Sequence, residues 1–178
     1  MKRSFGFNSS LHPSSFILKL FTAIPGLSRL PTMPDLIIFI GIQGSGKSTY
    51  YREHFAATHV HVSKDLMTST RNRDALQDKL IHEALGDGKG VVVDNTNPTP
   101  VVRAPLIAIA KKHQARVIGY YFEVPVKTAV ARNRAREGKA RVPDVAIFAT
   151  AKKLVPPKFE EGFDEVHVVA PEAADAHS

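Results

Sequence analysis

Asp35-Leu36-Ile37-Ile38-Phe39-Ile40-Gly41-Ile42-Gln43-Gly44-Ser45-Gly46-Lys47-Ser48-Thr49 decides the fold. An apolar run stops at a glycine-rich turn, and a helix-compatible segment follows. Residues 41–48 fit G-x-x-x-x-G-K-[ST], the phosphate-binding P-loop. Glycines at Gly41, Gly44 and Gly46 let backbone N–H groups close on an anion. A helix starting near Gly46 aims its unpaired N–H groups and positive dipole end at the same anion. Lys47 is placed to reach β- and γ-phosphates, and Ser48 to ligate Mg²⁺. Gln43, Ser45 and Thr49 complete the expected nucleotide cradle. A chance match on a loop is the competing reading, but the strand-like run before the motif is the context the motif requires.

The chain has 178 residues, which suits one domain with a substantial core. Cysteine is absent, so disulfides, thiolate catalysis and cysteine metal sites are excluded. That fits a reducing compartment, and a cytoplasmic location is expected. No apolar run approaches the roughly 20 residues of a membrane helix. The net charge of +7 is uneven. Residues 111–153 hold eleven bases against Glu123, Glu137 and Asp144, and residues 154–178 hold six acids against Lys158. A clustered cationic face suggests a nucleotide or nucleic-acid partner. A solvated basic helix explains the same charges equally well.

Residues 1–34 carry no acid and four prolines, and differ from the rest. Three readings stand: a disordered tail, a transit-like peptide, or sequence upstream of a start at Met33. Residues 35–170 form the expected domain, and 171–178 a flexible tail. Within the domain, strand-like runs at 36–40, 59–63, 90–94, 116–122 and 165–169 alternate with helix-compatible stretches near 46–56, 73–87, 100–113, 126–137 and 144–153. Prolines at 100, 125 and 143 mark three helix starts. All-apolar strands alternating with helices predict a parallel sheet covered on both faces, an α/β fold. Ligands then sit at the carboxyl ends of the strands.

That edge collects the candidate chemistry. Asp94 ends an apolar strand, where an acid holds Mg²⁺ or its waters, or simply begins a turn. Asn95 and Asn97 lie in the polar turn after it. Asp65 follows the second strand and suits either a base for an acceptor hydroxyl or a favourable helix N-terminal acid. Arg132 and Arg136 share a helix face at i and i+4, where they can stabilise charge on a transferring phosphoryl group. Arg134 points away from that face. Residues 139–142 form a basic loop able to close over the nucleotide. His59 and His61 share a strand face without a third ligand and read as structural or exposed.

These motifs together resemble polynucleotide 5′-hydroxyl kinases, including the kinase module of polynucleotide kinase-phosphatases. The likeness covers roughly residues 35–170. It rests on the P-loop, on Val93-Asp94-Asn95-Thr96-Asn97-Pro98, on Arg132-Asn133 followed by Arg136, on Val142-Pro143-Asp144, and on Glu161-Gly162-Phe163-Asp164. The resemblance implies a P-loop NTPase kinase-type three-layer fold with a five-stranded parallel sheet. It implies transfer of the ATP γ-phosphate to a 5′-hydroxyl end, with Asp65 as general base and Arg132 and Arg136 as lid arginines. Such kinases usually place an arginine shortly after the catalytic Asp. Here Leu66-Met67-Thr68-Ser69-Thr70 follows, and Arg71 and Arg73 are the nearest arginines. No aspartate-rich phosphatase motif occurs in these residues.

The expected protein is a single-domain kinase using ATP and Mg²⁺, with Lys47, Asp65, Arg132 and Arg136 catalytic. Ser48 and Asp94 are the expected metal ligands. Asp65, Arg71, Arg73, Asn95 and Asn97 are the expected acceptor-side residues. No obligate protein partner is expected. A small-molecule or nucleotide-sugar kinase on the same fold is the first alternative, and a non-catalytic nucleotide-binding regulator the second.

Overall fold

The computed structural model describes residues 33–67 and 71–170. The expectations for the terminal segments lie outside these residues, apart from Met33 and Pro34. Five strands form one sheet: β1 (Asp35–Ile40), β2 (His59–Val62), β3 (Gly90–Val93), β4 (Arg116–Phe122) and β5 (Glu165–Val169). Their order is β2-β3-β1-β4-β5, and every pairing is parallel. The helices are α1 (Lys47–His54), α2 (Arg73–Gly86), α3 (Pro100–Lys112), α4 (Val126–Arg134) and α5 (Asp144–Lys153). Thr99 caps α3 by accepting the Val102 N–H, with Pro100 at its first position.

The two-residue strand period sorts the core into layers. Leu36, Ile38, Ile40, Val91 and Val93 pack with Ile81 and Leu85 of α2 and Leu106 and Ala110 of α3. Ile37, Phe39, Val92, Ile118 and Phe122 face the other way, toward Tyr51 of α1. Phe39 is fully buried, its ring centroid 5.0 Å from that of Phe122. Truncating such a residue to alanine costs about 3–5 kcal/mol. A third cluster, Ile42, Ala129, Val130 and Ile147, joins α4 and α5 to the loop after β1.

Two expectations change. The helix predicted over 126–137 ends at Arg134, so Arg136 lies past its end. The basic segment 111–153 does not form one face. Arg116 begins β4 and pairs with Asp35 and Glu165, at the strand starts. Lys111 pairs with Asp164. Arg132, Arg134, Arg136 and Arg141 follow the other end of β4. Connectivity separates charges that are neighbours in sequence, because α3 and β4 run between opposite sheet edges.

Candidate active site

Parallel pairing of Ile38 with Val93 runs the last two residues of β1 alongside the turn after β3. The loop after β1 therefore meets the turn after β3, and Gly41 N donates to Thr96 O at 3.0 Å. Two glycines in this loop are irreplaceable for different reasons. Gly44 has φ of 81°, and a Cβ there would sit 2.4 Å from the Ala129 carbonyl oxygen of α4. Gly46, with φ of 98°, is the left-handed N-cap residue of α1. α1 thus begins at Lys47, with its free N–H groups at the loop.

Lys47 is 8% exposed and folded back on the loop. Its Nζ donates to Gly41 O (3.0 Å), Ile42 O (2.7 Å) and Ser45 Oγ (3.2 Å). Burial lowers its pKa to about 8. Asp94 and Asp65 pull it upward, and Arg136 pushes it down. All three charges thus act on one ammonium group. Ser48 Oγ donates to Asp94 Oδ2 at 2.6 Å. Asp94 is 5% exposed, and burial opposes its ionisation. Hydrogen bonds from His61 and Ser48, with the Lys47 charge, outweigh that and hold the carboxyl below its usual range.

A hydroxyl and an ionised carboxylate are hard oxygen donors, so Ser48 and Asp94 fit Mg²⁺. Among the described residues, no cluster of three or more His, Cys, Asp or Glu side chains could hold a metal. Mg²⁺ is commonly held through few carboxylates, substrate phosphates and water. Gln43 Oε1 is a buried acceptor without a hydrogen-bond partner among the described residues. Thr49 Oγ1 accepts from Arg52 Nη2 and is exposed.

Asp65 is exposed and sits in a single 3₁₀ turn, Lys64–Leu66, directly after β2. Asn95 holds this turn. Its Oδ1 accepts the Lys64 N–H at 3.0 Å, and its Nδ2 donates to Gln77 Oε1 of α2 at 2.7 Å. Lys64 also pairs with Asp74. Asn95 therefore engages the protein rather than standing open to an acceptor. Asn97 corrects an expectation outright. It is 3% exposed and donates to Phe39 O at 2.8 Å, tying the turn after β3 to β1. A side chain so enclosed has no access to a substrate. Arg71 is exposed just before α2, and Arg73 opens that helix, its Nη2 3.5 Å from Met67 O.

On the lid side, Arg132 is exposed with Nη1 3.9 Å from where a Cβ on Gly46 would stand. Its guanidinium therefore lies beside the N-terminus of α1. Arg134 turns away and pairs with Asp144 of α5 at 2.8 Å. Asn133, fully buried, bonds both backbone groups of Val142 and closes the loop between α4 and α5. Arg136 reaches the Lys47 field from this loop, so its placement comes from the loop closure and not from helical spacing.

Sequence reasoning missed His61. Its Nε2 lies 3.1 Å from Asp94 Oδ2, and its ring stacks on Tyr51. The available signal was its position on β2, two residues before Ser63, at the strand edge that carries the site. It also missed Arg103 of α3, which is fully buried. Arg103 makes a two-point ion pair with Glu161 and donates to Asn97 O and Val155 O. It thereby braces the turn after β3 against the segment after α5.

Known proteins are similar to this chain. The chain is 30% identical over 169 residues to a protein of Acanthamoeba polyphaga mimivirus whose name is that of a bifunctional polynucleotide phosphatase/kinase. It is 26% identical over 164 residues to the bifunctional polynucleotide phosphatase/kinase of Schizosaccharomyces pombe. In each case 90% of this chain is covered, but it spans only 39% of the relative's length. The fold is also that of Chaetomium thermophilum Kti12, solved with ADP-AlF3. The TM-score is 0.61 at 15% identity, covering 77% of this chain and 89% of that one. Residues 36–157, from the first strand through the segment after α5, match the AAA domain family, and the chain belongs to it.

Proposed function

We propose that the protein is a kinase that transfers the γ-phosphate of ATP to the 5′-hydroxyl end of a polynucleotide. One observation carries this reading. Asp94, Asp65 and Arg136, from three separate loops, all act on the buried Lys47 ammonium. A metal-holding carboxylate, a candidate base and a lid guanidinium thus share one phosphate cradle. A nucleotide switch would need the cradle but not the exposed Asp65.

Residues 41–49 bind the phosphates, and Lys47 leaves its carbonyl partners for the β- and γ-phosphate oxygens. Arg132 and Arg136 neutralise charge on the transferring group. Ser48 and Asp94 would hold Mg²⁺, which would supply further charge neutralisation on the phosphates. Asp65 takes the acceptor hydroxyl proton as the acceptor oxygen bonds to the γ-phosphorus. The bond from that phosphorus to the β–γ bridging oxygen breaks, and ADP leaves. Arg71 and Arg73, the first arginines after Asp65, are proposed to hold the acceptor-end phosphate.

The relatives' names support the polynucleotide acceptor. Their phosphatase activity is not carried over, because this chain spans only part of their length. No helix among the described residues is long and apolar enough to cross a membrane. A cytoplasmic location, suggested by the absence of cysteine, belongs to this reading. The test is phosphotransfer from labelled ATP to 5′-hydroxyl DNA, 5′-hydroxyl RNA, their 5′-phosphorylated counterparts and a metabolite panel. Label is expected on 5′-hydroxyl strands alone. Label on a metabolite only would replace the acceptor. ATP binding without transfer to anything would reduce the protein to a nucleotide-binding regulator.

A further inference from the structure

The strand β2 lies against β3 with His61 opposite Val92, and the carboxylate two residues further along β3 comes within reach of its ring. Asp94 Oδ2 accepts from two elements at once: Ser48 Oγ of α1 at 2.6 Å and His61 Nε2 of β2 at 3.1 Å. Two donors arriving from different sides fix the rotation of a carboxylate, which one donor alone does not. The imidazole is itself fixed. It stacks on Tyr51 with centroids 3.8 Å apart and planes 13° from parallel. Tyr51 OH in turn donates to His59 O at 2.9 Å, fastening the stacking ring to β2. Tyr51 stands three residues after Ser48 on the same helix, so α1 supplies both the hydroxyl and the stacking surface. An ionised carboxylate can only accept, so Nε2 carries the hydrogen.

We propose that His61 is a positioning residue that orients the Asp94 carboxylate toward the metal-bound nucleotide. It touches neither nucleotide nor acceptor, and acts through Asp94. The need for it is chemical. Ligating carboxylates are held by outer hydrogen bonds, and losing such a partner costs about 10–100-fold in metal affinity. Ser48 is the other donor, but its hydroxyl would also ligate the metal, so its position answers to two demands. His61 donates to Asp94 without touching the metal.

The inference rests on the reading of Ser48 and Asp94 as the metal-holding pair. Its test uses the whole chain and reads binding rather than turnover. Affinity for a fluorescent ATP analogue is measured in EDTA and in Mg²⁺, and Mn²⁺ binding is followed by electron paramagnetic resonance. Wild type is expected to gain affinity with metal, and Asp94→Asn to lose that gain. His61→Asn, too short to reach Oδ2, is expected to lose about tenfold of the metal-dependent gain. His61→Gln, whose amide reaches further, is expected to restore most of it. Binding in EDTA should stay at the wild-type level in both. If Asp94→Asn loses the gain and His61→Asn keeps it, His61 only packs, and the inference is overturned. Parallel loss in EDTA and in metal would overturn it too, since that marks a damaged site rather than a misdirected carboxylate. If Asp94→Asn itself keeps the gain, the metal-ligand reading fails first. Should His61→Asn not fold, Tyr51→Leu removes the stack and the bond to His59 O while leaving the imidazole in place. It is expected to lose part of the metal-dependent gain and nothing in EDTA, and an unchanged gain would refute the stacked-ring account.

Discussion

Asn133 holds both backbone groups of Val142: its Nδ2 donates to the carbonyl at 2.8 Å, and its Oδ1 accepts the N–H at 3.1 Å. One fully buried amide thereby closes the loop that carries Arg136. Asn133→Ala leaves two backbone groups of Val142 unpaired, at about 1–3 kcal/mol for each that stays buried. Loss of about 2 kcal/mol of stability is expected, together with a kcat lowered about tenfold as the lid arginines lose their register. Urea unfolding and steady-state kinetics on the same variant check this. Normal kinetics at reduced stability would show that the loop does not position Arg136. Asn133→Asp faces the Val142 carbonyl and Asp144 with a second negative charge, and should be no better.

Lys47 makes nucleotide binding depend on pH. Its free-state pKa is about 8, and anionic phosphates favour the ammonium form. Between pH 8 and 9 the free protein carries a partly neutral Lys47, so ATP binding should take up protons, fewer than one per site. Affinity should fall as pH rises above 8. Calorimetry in buffers of different ionisation enthalpy measures the uptake directly. A buffer-independent heat at pH 8.5 would contradict the buried, depressed lysine.

The same group affects folding with a defined sign. Its pKa is lowered from 10.5 to about 8, so the unfolded chain binds more protons between those values. Stability therefore rises with pH across that window, and the penalty is fully present below about pH 8. At 1.36 kcal/mol per pKa unit the penalty is on the order of 3 kcal/mol. Lys47→Met is expected to raise the ligand-free unfolding midpoint at pH 7 while destroying ATP binding. A midpoint lower than wild type would mean that the three hydrogen bonds of Lys47 outweigh its burial.

Asp65→Asn keeps the size of the side chain and removes the proposed base. The turnover rate should fall about 10²–10⁴-fold. ATP affinity should change little, because Asp65 is exposed and makes the smallest of the charge contributions at Lys47. Single-turnover rates and equilibrium nucleotide binding separate the two. A proportional loss of both would assign Asp65 to nucleotide binding instead.

Arg103→Met strands Glu161 and removes donors from Asn97 O and Val155 O. Breaking a buried pair from one side costs about 3–5 kcal/mol. Arg103→Lys should not restore it, since an ammonium cannot match the two-point geometry to Glu161. The double variant Arg103→Met with Glu161→Leu should recover part of the loss. Chemical denaturation of these variants and of Glu161→Leu alone gives the answer, and a double variant as unstable as the sum of the two singles would place the cost in packing rather than charge.

Much of the architecture was legible in the chain. The all-apolar runs at 36–40 and 91–93 demanded burial on both faces, and the prolines at 100, 125 and 143 marked boundaries. The five strands lie where their apolar runs are, and four of the helices end within about two residues of their expected limits. The exception is instructive. α4 ends at Arg134, and Asn133 in its last turn reaches Val142, a contact nine residues away that helical periodicity does not contain.

The glycine-rich loop, the parallel α/β fold and the strand-end positions of Asp65 and Asp94 follow from local chemistry: glycine at tight turns, period-two burial and helix-start residues. Which polar side chains face the site and which serve the frame depends instead on long-range packing. Asn97 and Asn95 share one turn and one residue type, yet Asn97 is spent inside on Phe39 O while Asn95 fastens the Asp65 turn. His61 meets Asp94 because β2 pairs with β3 in one register, and Arg103 is neutralised by a carboxylate 58 residues away. The physical reason is common to all of these. A buried polar group must find a partner, and that partner is chosen by strand register and helix packing, which bring together residues that no local pattern links.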